Sequence, residues 1–203
     1  MRQIPLPLAA GASPSRIVVG NANAGVLDAF AQAAQWPFRT AVLFGPPRSG
    51  KSLLAHWFAA SGQGEAIDDA DGMDETQLFH HWNRAQESGT ALLIVANTAD
   101  GGWQVALPDL ASRLGGSLHL EIGAPDEEMM AGLIALHAEL RGFTLGPDAA
   151  AYLVPRMERS HLGVERLVEA IDRLSLERKQ PPTQGLWRDA LEEVNGNSQP
   201  RLL

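Results

Sequence analysis

The stretch 40–52, TAVLFGPPRSGKS, constrains the fold of this chain more than any other. A short apolar run, Ala41-Val42-Leu43-Phe44, reads as a buried strand. The loop Gly45-Pro46-Pro47-Arg48-Ser49-Gly50-Lys51-Ser52 follows it and matches G-x-x-x-x-G-K-[ST] at every fixed position. Residues 53–60, LLAHWFAA, then read as a helix. Strand, loop and helix in that order are the context a phosphate loop requires. Its glycines let the backbone turn sharply and bring N–H groups up to phosphate oxygens. The start of the helix adds partial positive charge at the same place. Lys51 is expected to reach the β- and γ-phosphates, and the Ser52 hydroxyl to ligate Mg²⁺. The competing reading, a Gly/Pro turn that happens to precede Lys-Ser, does not account for both flanking elements.

At 203 residues the chain has room for one α/β domain and a small helical one. A net charge of −8 disfavours a broad nucleic-acid surface, so little direct DNA binding is expected. There is no cysteine, which removes disulfides and thiolate metal sites and fits a reducing, cytoplasmic setting. No apolar run approaches the roughly 18 residues of a membrane span, and 1–12 lacks the basic and long apolar regions of a secretory leader.

The first residues, Met1-Arg2-Gln3-Ile4-Pro5-Leu6-Pro7-Leu8, carry two prolines that bias the backbone to an extended form. Gln3 is then a polar anchor with Ile4, Leu6 and Leu8 as apolar contacts, a pattern that resembles the sliding-clamp-binding peptide of bacteria. A tail packed on its own domain is the alternative. Ile17-Val18-Val19 is a short apolar stretch, and Asn21 or Asn23 is expected to cap a helix over 24–35 that ends at Trp36-Pro37.

After the loop helix, Glu65-Ala66-Ile67-Asp68-Asp69-Ala70-Asp71 reads as a short strand ending in an acidic pair. In this reading Asp68 holds Mg²⁺ and Asp69 polarises the attacking water; a solvated acidic turn is the other possibility. Only fifteen residues separate Ser52 from Asp68, enough for one helix and a turn. Residues 74–89 read as a helix with Leu78, Phe79, Trp82 and Ala85 facing the core. Ala91-Leu92-Leu93-Ile94-Val95-Ala96 is the clearest buried strand, ending at Asn97-Thr98. A polar residue at such a strand end lies near the γ-phosphate in P-loop ATPases with an added sensor strand. Asn97 is the first candidate and Thr98 the second, against a simple strand-ending turn. A short helix over 107–114 carries Arg113, and 118–122 is the last strand. From there only helices are expected: from Pro125 to about Arg141, then 147–156, 162–177 and 183–194, with a frayed tail.

The order of these parts resembles that of the AAA+ ATPases. The closer similarity is to the DnaA family of replication initiators and its short, Hda-type regulatory branch. The residues that carry it are GPPRSGKS at 45–52, IDDAD at 67–71, LLIVAN at 92–97, LPDLASRL at 107–114 and LRGFTL at 140–145. The resemblance implies an α/β fold, a P-loop AAA+ parallel sheet flanked by helices followed by a small all-α lid. It divides the chain into a peptide and linker over 1–12, the AAA+ domain over 13–123, the lid over 124–195 and a tail over 196–203. It implies ATP or ADP with Mg²⁺ as ligand, and the sliding clamp and DnaA as partners, with a homodimer possible. It makes Arg113 an arginine finger acting on a neighbour's nucleotide; a surface ion pair with Asp109 is the plain alternative. Three departures stand out. The family's second strand and its helix are missing between the loop and the acidic pair, the strand before Asp68 is truncated, and Leu162 aligns with the sensor-2 arginine. They imply nucleotide binding with weak or absent hydrolysis by this chain itself.

Overall fold

The computed structural model describes residues 2–5, 16–98 and 102–198. The chain divides into two compact units, one of residues 3–17 and 21–123, the other of 1–2, 18–20 and 124–203. In chain order the strands and α-helices begin with β1 (Arg2–Pro5), β2 (Arg16–Val19), α1 (Ala24–Phe30) and β3 (Thr40–Phe44). Then come α2 (Lys51–Ala60), β4 (Glu65–Ile67), α3 (Glu75–Ser88), β5 (Leu92–Val95), α4 (Pro108–Gly115) and β6 (Leu118–Glu121). Four helices close the chain, α5 (Glu127–Leu140), α6 (Pro147–Leu153), α7 (His161–Arg178) and α8 (Gln184–Ser198).

The larger unit is built on one parallel sheet of order β4-β5-β3-β6. The two central strands, β3 and β5, are buried along their whole length, as a parallel sheet covered on both faces requires. The chain leaves β3, runs through α2 and returns as β4 beyond β5, so β4 is an edge strand of three residues. The short span between Ser52 and Asp68 thus holds one helix, α2, and the start of the edge strand β4. Register aligns Leu92 with both Thr40 and Glu65, which brings Asp68, Asn97 and the phosphate loop to the C-terminal ends of neighbouring strands. One side of the core gathers Val42, Leu78, Trp82, Ile94 and Leu110; Phe30, Trp36 and Phe58 form an aromatic group with ring centroids 5.0–6.1 Å apart.

Gly64 is the tightest point of this sheet. A Cβ there would lie 2.2 Å from the carbonyl oxygen of Ala91, the oxygen that accepts the Glu65 N–H at 2.8 Å and starts the β4–β5 ladder. Backbone cannot move aside as a side chain does. Gly64→Ala is expected to cost about 1–3 kcal/mol, the usual range for overpacking, measured as a shift of the urea midpoint; an unchanged midpoint contradicts this packing.

The helix expected over 24–35 stops at Phe30 and resumes as a 3₁₀ turn, Ala33–Gln35. The Trp36 indole Nε1–H donates to the Ala29 carbonyl at 2.9 Å, so the ring satisfies the helix end from outside. Asn23 is the N-cap by position, but its side chain makes no capping bond. Further on, the segment 147–156 is α6 followed by a 3₁₀ turn, Val154–Arg156.

The second unit packs its helices around Met130, Ile134, Leu153, Leu167, Ile171 and Leu186. Asp126 caps α5, its Oδ1 accepting the Met129 N–H at 2.7 Å, and Ser160 caps α7, its Oγ accepting the Gly163 N–H at 2.9 Å. Helix α8 runs four residues beyond the expected end, to Ser198. Asn195 Nδ2 donates to the Arg156 carbonyl at 3.3 Å, and 196–198 continue the helix; 199–203 lie outside the described residues. Among the described residues, no helix is long and apolar enough to cross a membrane.

Candidate nucleotide site

The loop 45–52 joins the C-terminal end of β3 to the first residue of α2. Gly45 is there for close approach: a Cβ would meet Ile122 Cβ at 3.0 Å and Ser49 Oγ at 3.2 Å. Arg48 holds a left-handed φ of 64°, a conformation that costs a non-glycine residue free energy and marks a loop shaped for something besides chain reversal. Pro47, Arg48 and Ser52 face solvent, Pro46 and Gly50 are half-buried, and Ser49 and Lys51 are buried.

Lys51 Nζ donates to the carbonyls of Gly45 at 2.8 Å and Pro46 at 3.1 Å. The ammonium is therefore held at the mouth of the loop by the loop's own backbone. Burial pushes it below the ordinary lysine range, against the opposing charges of Asp68, Asp71 and Asp69. Three carboxylates at the ends of β4 and its following turn thus act on one lysine.

Those carboxylates are organised by local backbone. Asp68 Oδ1 accepts the Asp69 N–H at 3.0 Å. Asp69 sits at a left-handed φ of 51° and opens a 3₁₀ turn, Ala70–Gly72; aspartate tolerates that conformation better than most residues. Asn97, just past β5, donates its side-chain Nδ2–H to Asp69 Oδ1, and its backbone N–H to Asp71 Oδ1 at 3.0 Å. The structure therefore brings together Lys51, Asp68, Asp69 and Asn97, four of the residues singled out from the sequence. It adds Asp71, whose place was hidden because only the folded 3₁₀ turn carries it across to β5.

Two buried hydroxyls test whether these residues suit a phosphate ligand. Ser49 Oγ in the loop and Thr98 Oγ1 after β5 have no hydrogen-bond partner among the described residues. Buried donors left without partners are costly, and a phosphate oxygen satisfies such a group. Together with the cradle at Gly45 and the lysine, the donor set fits a nucleotide phosphate. Ser52 is exposed and next to Lys51, and with Asp68 it offers the hard oxygen donors that Mg²⁺ takes alongside phosphates.

Arg113 is elsewhere. It lies in the last turn of α4, five residues before β6 begins opposite Ala41 at the start of β3, at the end of the sheet away from the loop. Its guanidinium sits 4.5 Å from the centroid of the Trp82 ring, and this cation–π contact takes the place of the Asp109 pair considered from the sequence. Gln3 and Ile4 belong to β1, which pairs with β2 in a two-stranded sheet; Leu6 and Leu8 lie outside the described residues. In the helical unit Leu162 is the half-buried second residue of α7, and Arg159 is paired with Glu127 at 2.6 Å.

No protein-family model matches the chain. Solved structures do. Domain III of the Thermotoga maritima replication initiation protein DnaA aligns over 88% of this chain and 94% of its own, at a TM-score of 0.70 and 15% identity. The AMPPCP-bound DnaA of Aquifex aeolicus aligns over 88% of this chain and 68% of its own, at 0.61 and 15%. The AAA domain of FIGL-1 in complex with ADP aligns over 92% and 84%, at 0.63 and 13%. With its parallel sheet, its loop at the strand ends and its C-terminal helices, the chain has the AAA+ fold in the form seen in DnaA.

Proposed function

We propose that this chain is a nucleotide-binding regulator of DnaA, of the Hda type. It attaches to the DNA polymerase sliding clamp through 3–8, Gln3, Ile4, Leu6 and Leu8 supplying the contacts, and presents Arg113 to the ATP bound by DnaA. The observation that supports this best is the separation of two chemical groups within one unit. Lys51, Asp68, Asp69 and Asn97 converge at one end of the sheet, while Arg113 stands exposed at the other on LPDLASRL. An arginine so far from its own phosphate loop acts on a neighbour's nucleotide, where it stabilises charge on the transferring phosphoryl group. Attachment to the clamp raises its effective concentration near DnaA.

In its own site, 45–52 would cradle the phosphates of ATP or ADP, with Lys51 on the terminal phosphates and Ser52 and Asp68 for Mg²⁺. The magnesium ion would neutralise phosphate charge there. Asp69 would polarise water, but Asn97 already occupies its carboxylate, and Leu162 offers no charge at the sensor-2 position. Own hydrolysis is therefore slow. The finger face also suits a second copy of the chain, as a homodimer.

A second reading has one observation in its favour. Lys51 is satisfied by the loop's own carbonyls, as in an adaptor whose nucleotide site has become structural. Capture on immobilised clamp separates the peptide's role from the rest: Gln3→Ala is expected to weaken binding tenfold or more, as loss of a central anchor does, by about 1.4 kcal/mol or above, with nucleotide affinity unchanged. Equal capture of both proteins removes the peptide from the account.

A further inference from the structure

Among the described residues, Phe38, Leu140 and Leu176 are large apolar side chains that stand exposed, and of these Phe38 belongs to the unit that carries Arg113. Its position is unfavourable twice over. The ring is 53% exposed, so much of the gain from burying a phenyl group is forgone. The backbone at Phe38 is left-handed (φ 49°, ψ 25°), and so is that of Arg39 after it (φ 46°). Left-handed backbone is tolerated by glycine, asparagine and aspartate and disfavours a bulky residue. A lone exposed apolar side chain is ordinary on a protein surface; one held out by a strained backbone is not.

The fold nevertheless fixes this corner. The Phe38 carbonyl accepts the Gln86 Nε2–H at 2.7 Å and the Thr40 hydroxyl at 2.9 Å. Arg39 Nη1–H donates to the carbonyl of Gly89, where α3 ends. The ring is thereby set against Gly116, just past α4, where a Cβ would lie 2.9 Å from Phe38 Cε2. Its centroid is 6.4 Å from that of the Trp82 ring, the ring that the exposed Arg113 guanidinium contacts at 4.5 Å. An exposed apolar group and an exposed cation thus flank one buried indole.

Resting on the reading of Arg113 given above, we propose that Phe38 is the anchor by which this face grips DnaA. The occupant is a folded nucleotide-binding protein that offers an apolar recess beside its anionic phosphates. Arg113 complements the phosphate charge and the phenyl ring fills the recess. Docking recovers the burial that the free chain forgoes, and the fixed corner keeps the ring in place, so little freedom is lost on binding. Phe38 sets the affinity for the partner, and Arg113 sets the rate of hydrolysis. A net charge of −8 opposes a nucleic acid as the occupant.

DnaA carrying prebound ATP is titrated with the full chain as wild type, Phe38→Asn, Phe38→Tyr and Arg113→Ala. No clamp is present, so that tethering does not mask docking, and the single-turnover rate is followed up to saturation. Phe38→Asn suits the left-handed backbone and removes the ring. It is expected to need about thirtyfold more protein for half-maximal stimulation, the scale of an interface anchor, and to reach the wild-type plateau. Phe38→Tyr keeps the ring and is expected to fall within about threefold of wild type. Arg113→Ala is expected to lose the plateau. The urea midpoint of Phe38→Asn is expected not to fall, because strain is relieved as the ring is lost. Half-saturation of Phe38→Asn at the wild-type concentration overturns the proposal, and with Arg113→Ala inactive it leaves the finger standing; a lowered midpoint in that case assigns the ring to packing. Capture of single-stranded DNA by wild type and not by Phe38→Asn gives the ring to a nucleic-acid base and also overturns it. A wild type that stimulates at no concentration overturns the reading of Arg113 and the proposal with it.

Discussion

Lys51→Ala is expected to weaken binding of both ADP and ATP by about a hundredfold. The side chain gives up two charge-assisted hydrogen bonds to phosphate, each worth about 1.5 kcal/mol or more net, and about 1.4 kcal/mol is a factor of ten. The loss is not as large as the gross interaction because the free protein also holds the ammonium, through Gly45 and Pro46, and those bonds must be exchanged. The stem of Lys51 is buried as well, so truncation to alanine removes packing along with charge. Lys51→Met retains most of that packing and is expected to lose nearly the same affinity at nearly wild-type stability. Fluorescence titration with a labelled nucleotide reads both variants; near-normal affinity in Lys51→Met would show that the loop does not work as a phosphate cradle.

Arg113→Ala is expected to abolish stimulation of DnaA-bound ATP hydrolysis, a loss of roughly 10³-fold in the single-turnover rate, the lower end of what a finger arginine supplies. Stability changes little, because the stack on Trp82 is exposed on the arginine side and such contacts are worth about 0.5–1 kcal/mol. On the proposed reading, the contact with the Trp82 ring restrains the guanidinium and limits the freedom lost on docking. Arg113→Lys is not expected to rescue, since an ammonium neither stacks nor reaches phosphate with a planar fork. Nucleotide binding by the chain itself stays as in wild type. Full stimulation by Arg113→Ala removes the finger and leaves the adaptor reading.

The loop and its flanking elements were legible in the sequence because each signal is local: an apolar run, a glycine-punctuated loop and a helical period, all within thirteen and eight successive residues. The strand 92–95 and the helices α3, α5 and α7 were legible for the same reason, each with its own cap or its own stripe. Contacts made across the fold were not. Helix α1 ends early because the indole of Trp36 reaches back to Ala29. Phe38 and Arg39 take left-handed φ of 49° and 46°, held by Gln86 Nε2–H donating to the Phe38 carbonyl at 2.7 Å and by Arg39 donating to Gly89, partners about fifty residues away. Arg113 rests on Trp82 and not Asp109, because a ring from α3 outweighs a carboxylate on the preceding turn. Asp71 was in plain view within IDDAD, yet its meeting with Asn97 spans 26 residues and depends on where β4 stops. Apart from Trp36, seven residues from Ala29, the deciding partner in each case comes from a distant element that no short window on the chain contains.

The most direct measurement is release of phosphate from ATP prebound to the cognate DnaA, on DNA carrying a loaded sliding clamp, with and without this protein. The wild-type chain is expected to accelerate release, and omission of the clamp is expected to remove most of the effect. An unchanged rate, with the chain demonstrably captured on the clamp, contradicts it.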